Sequence, residues 1–120
     1  MGGHIELNED PNQAAVREVK EEVGLDIKLA GMTTPFKLKD YTELIPPKFL
    51  YRSPINDTHE HVTMVYFATS ESNQTTESDD EKSNGLHWFT NGELDDPKWE
   101  VKDDIKHYAK AALQELGTKQ

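Results

Sequence analysis

The sequence predicts a single small domain that mixes helices with strands, in the α/β or α+β class. Three stretches carry that expectation. "DPNQAAVREVKEEVGL" (10–25) has the punctuation of a bounded helix, "HVTMVYFATS" (61–70) has the composition of a strand, and residues 101–116 repeat apolar side chains at helical spacing. At 120 residues the chain is long enough for one domain and no more.

Taken in order, Asp10 suits a helix N-cap, Pro11 the first helical position, and Gln13 completes a capping-box spacing. Gly24 suits the left-handed residue that closes a helix, so the helix is expected over 11–23. "LDIKLAG" (25–31) alternates like a strand and stops at Gly31. Residues 32–47 are mixed, with a loop signal at "LIPP" (44–47), and "KFLYRS" (48–53) is a short strand. The β-branched and aromatic run 61–70 is the strongest strand in the chain. "SESNQTTESDDEKSN" (70–84) has almost no apolar content and reads as a flexible acidic connection. "GLHWF" (85–89) is a further strand candidate, followed by the turn-rich "TNGELDDP". Val101, Ile105, Tyr108, Ala109, Ala112, Leu113 and Leu116 then form the stripe of a closing helix.

Composition narrows the function classes. Charged residues make up 30% and apolar residues 34%, so the core must be small. A net charge of −10, from 23 acidic and 13 basic residues, repels phosphate backbones and argues against nucleic-acid binding along a basic stripe. An anionic substrate would need cations supplied locally. The absence of cysteine excludes disulfides and thiolate metal sites. No apolar run reaches the length of a membrane span or of a signal-peptide core, so a soluble cytoplasmic protein without membrane partners is expected.

On the helix 11–23, Ala15, Val16, Val19 and Val23 share the side expected to meet the core. Glu18, Glu21 and Glu22 share another, with Arg17 one turn before Glu21. Clustered carboxylates cost about a few tenths of a kcal/mol per like-charged pair. A hard divalent cation with oxygen ligands would offset that cost. By themselves these residues leave two readings open: a solvated acidic face, or a metal site.

The wider pattern favours the second. Gly3, Glu9, Arg17-Glu18-Val19, Glu21-Glu22 and Gly24-Leu25 fill all nine fixed positions of a twenty-three-residue signature. It resembles the box of the Nudix hydrolases: Gly, five residues, Glu, seven residues, Arg-Glu-aliphatic, one residue, Glu-Glu, one residue, Gly-aliphatic. The resemblance implies a Nudix-like α/β/α sandwich with a mixed sheet and a loop–helix–loop that binds Mg²⁺ or Mn²⁺. It implies hydrolysis of a nucleoside diphosphate linked to another group, such as an oxidised nucleoside triphosphate, ADP-ribose, a nucleotide sugar or a dinucleoside polyphosphate. By the same analogy Glu18, Glu21 and Glu22 hold metal, the backbone carbonyl of Gly2 joins them, and Glu21 and Glu22 act in catalysis. Glu9 and Arg17 would brace loop and helix, while Gly3 and Gly24 would supply backbone conformations that side chains obstruct.

"LHWFTNGEL" (86–94) resembles the strand and turn that follow the catalytic loop in this family. A glutamate before that strand often serves as general base or extra ligand; among Glu77, Asp79, Asp80 and Glu81, the nearest to the strand is Glu81. His59 and His61 in "THEH" fall on one face if this stretch is strand; such a pair can bind zinc, but the usual third ligand and its spacing are missing, which favours a structural or substrate-contacting role. Phe49, Tyr51 or Trp88 could stack on a base, or serve as packing. Nudix domains carry strands before their box, and this chain begins almost on the first glycine, so the N-terminal strands are expected to be missing. That gap raises an alternative, a catalytically impaired Nudix-like nucleotide- or metal-binding module. It also leads to the expectation of a homodimer that covers the exposed sheet edge.

Overall fold

A computed structural model describes residues 2–33, 39–71 and 88–117. They fall into two compact units, residues 1–84 and 85–120.

In the first unit, helix α1 spans Pro11–Val23, as the caps predict. The Asp10 side chain accepts from the Gln13 N–H at 2.8 Å, while Gln13 Oε1 accepts from the Asp10 N–H at 2.9 Å. Gly24 closes the helix at φ 76° and donates its N–H to the Lys20 carbonyl. Strand β1 (Ile27–Leu29) follows, then β2 (Phe49–Pro54), β3 (Glu60–Val65) and β4 (Ala68–Ser70).

The strands form two antiparallel pairs. β2 and β3 make a hairpin in the register Phe49–Val65 to Pro54–Glu60, and β1 pairs with β4 in the register Ile27–Ser70 to Leu29–Ala68. The predicted strand 61–70 is therefore two strands with different partners. The change falls at Tyr66–Phe67: the Val65 carbonyl accepts from Lys48 at 2.8 Å, and the Phe67 carbonyl accepts from Ala30 at 2.7 Å. His59 lies in the hairpin turn and not on the strand, so it does not share a strand face with His61. Its Nδ1 contacts Thr58 Oγ1 at 2.8 Å, and its N–H donates to Asn56 Oδ1 at 3.0 Å.

The core of this unit is small, as composition requires: Ala14, Val23, Leu25, Leu29 and Phe67 are buried. Phe49 adds a tilted ring contact to Phe67 at 5.9 Å. The expected core side of α1 holds in part: Val23 is buried and Ala15 and Val19 are half-buried, but Val16 is not. Ala14 is buried, whereas Val16 is 38% exposed. Ala14 lies one turn before Arg17 and Glu18, so burial on α1 is not confined to the valine side. A cleft of about 660 Å³ opens beside Val16, Arg17, Lys20, Lys28, Leu29 and Ile45.

In the second unit, residues 85–87 of the expected strand lie outside the described ones, and Trp88 and Phe89 are not strand residues. Phe89 meets Trp99 edge-on at 5.4 Å. A reciprocal cap between Thr90 and Glu93 opens a 3₁₀ turn, Glu93–Asp95, and Asp96 caps another, Pro97–Trp99. Helix α2 spans Asp103–Leu116, and Lys110 on it holds Asp95 at 2.7 Å. That contact keeps the Asp95 carboxyl below the usual carboxylate range. Among the described residues no helix is long and apolar enough to cross a membrane.

Candidate metal-binding site

Arg17 is the hub of the site. Its Nε and Nη2 grip Glu9 bidentately at 2.8 and 3.0 Å, and Nη2 also donates to the His4 carbonyl at 3.1 Å. Glu18 Oε1 lies 3.0 Å from Nη2 and Glu21 Oε2 lies 3.0 Å from Nη1. Glu6 stands further off, at 3.6 Å. One guanidinium thus ties the loop before the helix to two carboxylates on it. The fork geometry matters here, because a lysine could not make the paired contact with Glu9.

The electrostatics follow from these distances. The Arg17 hydrogen bonds, then the Glu6 N–H that donates to Glu9 Oε1 at 2.9 Å, hold the Glu9 carboxyl below its ordinary value. Glu9 in turn, with Glu18 second, raises the Arg17 guanidinium above its own ordinary value. Glu9 and Glu18 are each 14% exposed and Arg17 22%, whereas Glu21 is 59% exposed.

Gly3 is needed for space. Its backbone lies against the Glu18 carboxylate, and a Cβ there would overlap Cδ and both carboxylate oxygens. Its φ is not in the left-handed region, unlike that of Gly24, so the conformational freedom expected of both glycines applies to Gly24 alone. Gly2 is exposed and has room around it.

The expected ligands are therefore brought together in part. Glu18 and Glu21 converge on a shared cation, Arg17; Glu22 is half-buried on the same helix, next to Glu21. Among the described residues, no three histidine or carboxylate side chains converge as a group able to hold a metal ion. Their donor chemistry nevertheless fits a hard divalent ion: carboxylate oxygens at helical spacing, with the Gly3 backbone laid against Glu18. Glu77, Asp79, Asp80 and Glu81 lie outside the described residues.

Sequence reasoning missed two residues. His4 lends its carbonyl to Arg17 and sets its ring edge-on to His61, centroids 5.7 Å apart. Asn12 pairs reciprocally with Ile45: Nδ2 donates to the carbonyl at 2.9 Å, and Oδ1 accepts from the N–H at 2.8 Å. Neither position is fixed in the signature. An N-terminal helical asparagine does signal a side chain free to bond backbone elsewhere.

The fold and this loop–helix–loop define a small α/β protein whose acidic helix is braced by an arginine from within. The chain belongs to the Nudix family: the NUDIX domain model matches residues 1–111. Its structure is similar to that of a NUDIX-family hydrolase from Clostridium perfringens, with 32% sequence identity and a TM-score of 0.78. The match covers 95% of this chain and 78% of that one. A comparison with curated proteins gave no significant match. Family and structural neighbour together support a hydrolase, in a family that generally uses divalent metals.

Proposed function

We propose that the protein is a pyrophosphohydrolase: water cleaves the diphosphate of a nucleoside diphosphate linked to another group, with Mg²⁺ or Mn²⁺ as cofactor. The observation that carries this reading is the bracing of Glu18 by Arg17 on one side and Gly3 on the other. A solvated acidic face has no use for a carboxylate held by a guanidinium on one side and lying against a glycine backbone on the other. Glu18, Glu21 and Glu22, with the backbone carbonyl of Gly2, would hold the ion. Such an ion, when bound, neutralises the diphosphate and makes the attacking water more acidic.

The chain's own residues prepare that chemistry. Glu9 fixes the guanidinium plane of Arg17, and Arg17 orients Glu18 and Glu21. Glu21 and Glu22 then serve as catalytic carboxylates, joined by Glu81 from the acidic connection. A hydrolytically impaired binding module is the second reading, favoured by the lack of three converged ligands among the described residues.

Two measurements separate them. Mn²⁺ titration should show weaker binding in Glu22→Gln than in wild type; equal affinities would remove the metal-site reading. A panel of nucleotide substrates with Mg²⁺ or Mn²⁺ should release phosphate or a nucleotide product, and metal binding without any release would select the binding module. In an active enzyme Glu18→Gln and Glu22→Gln should each lower turnover at least about tenfold.

The protein is further proposed to act as a homodimer. On the outward face of the hairpin, Leu50 and Val62 are 65% and 69% exposed, the kind of apolar surface that a second copy covers. Sedimentation at micromolar concentration tests this, and a monomer would refute it.

A further inference from the structure

Residues facing inward on the β2–β3 hairpin are Phe49, Tyr51, Ser53, His61, Thr63 and Val65. In a chain with 23 acidic residues this face carries none, while the outward face carries Arg52 and Glu60. Two contacts fix which way it points. Phe49 packs on Phe67, and His61 meets His4 at 5.7 Å. His4 directly follows Gly3, whose backbone lies against the Glu18 carboxylate, and its own carbonyl is held by Arg17. The two imidazoles are exposed, and the His4 backbone ties this pair to helix α1. His59 differs: its Nδ1 contacts Thr58 Oγ1 at 2.8 Å, a bond of the turn.

A metal ion balances only part of the charge on a diphosphate, and the rest must meet donors. Imidazole N–H and hydroxyl groups, with no carboxylate among them, are the chemistry that receives phosphate oxygens. We propose that His61, supported by His4, binds the phosphate group of the substrate, so that the hairpin's inner face is the diphosphate-binding surface. This rests on the hydrolase reading above and assigns the substrate's anionic part to a second element, distinct from the carboxylate helix. His61 touches substrate in this scheme; the ion does not depend on it.

The test is equilibrium binding of Mn²⁺ alone and of ADP in the presence of Mn²⁺, to wild type, His61→Ala, His61→Asn and His59→Ala. His61→Ala should keep its Mn²⁺ affinity within about twofold and bind ADP about tenfold more weakly, the loss of one hydrogen bond to a charged group. His61→Asn, which retains a donor, should recover part of that loss, and His59→Ala should match wild type. ADP bound equally by His61→Ala and wild type would overturn the proposal. So would an equal loss in His59→Ala, since a general weakening of the hairpin would then explain both. Wild type that takes up Mn²⁺ but no ADP overturns it too, whereas wild type that takes up no Mn²⁺ sinks the hydrolase reading itself.

Discussion

Substituting Gly3 by alanine probes the site with one methyl group. The added Cβ would overlap the Glu18 carboxylate, and ordinary carbon contacts begin near ~3.5 Å. Something must therefore move by about an ångström. The backbone of the loop is tied down, because the His4 carbonyl is held by Arg17 at 3.1 Å and Arg17 is gripped twice by Glu9. The Glu18 carboxylate is the end of a flexible side chain and yields first. Stability should then fall by less than about 1 kcal/mol, below the usual cost of overpacking a rigid core. Mn²⁺ affinity should fall at least about tenfold, or roughly 1.4 kcal/mol, because the displaced group is a ligand in the proposed site. Turnover should fall further, about a hundredfold, since small misplacements are amplified in the transition state. Gly2→Ala is the control: nothing lies near its Cβ, and alanine keeps the backbone carbonyl. Mn²⁺ titration followed by urea unfolding of both variants gives the answer. Wild-type metal affinity in Gly3→Ala would show that Glu18 is not positioned by this contact.

Other perturbations test the scaffold. Asp10→Ala removes one arm of the capping box and should cost about 1 kcal/mol, or about 4 °C in Tm, measured by circular dichroism. Asn12→Ala leaves the Ile45 N–H and carbonyl without their partner and should cost about 1–2 kcal/mol in urea unfolding, with Mn²⁺ affinity unchanged. Glu9→Gln should destabilise in a pH-dependent way. The folded Glu9 carboxyl sits below 4.5, so its contribution is complete above that pH and is lost as pH falls through the lower folded value. The difference between Glu9→Gln and wild type should hold from neutral pH to about 5 and shrink in more acidic urea titrations; a constant difference would contradict the Arg17 pairing.

Local signals were legible to the residue. Asp10, Pro11, Gln13 and Gly24 act through contacts only a few residues long, and α1 begins and ends where they place it. What depends on partners was not. Nothing in "VTMVYFATS" announces that its backbone leaves β2 for β1 at Tyr66–Phe67, because both halves have the same composition. The wheel of α1 placed its core on the valine side, yet Ala14 is buried and Val16 exposed; what packs against a helix face is not written in the helix's own spacing. The site divides likewise: spacing put Glu18, Glu21 and Arg17 together, but it could not show that Arg17 engages both acids at once, or that His61 and not His59 stands beside the loop.

The contacts of Gly3 with Glu18, Glu9 with Arg17 and Arg17 with Glu21 all close within one short stretch of chain. The β1–β4 pairing must instead bring Ile27 to Ser70. Closing a short loop costs less entropy than closing a long one, and local contacts form sooner. The residues proposed to hold the metal are thus encoded as a contiguous cassette, while Glu81 and the hairpin that meets His4 come from elsewhere in the chain. On the proposed roles, changes in the hairpin would retune which molecule is accepted without rewriting the cassette, leaving the chemistry and the choice of substrate free to evolve at different rates.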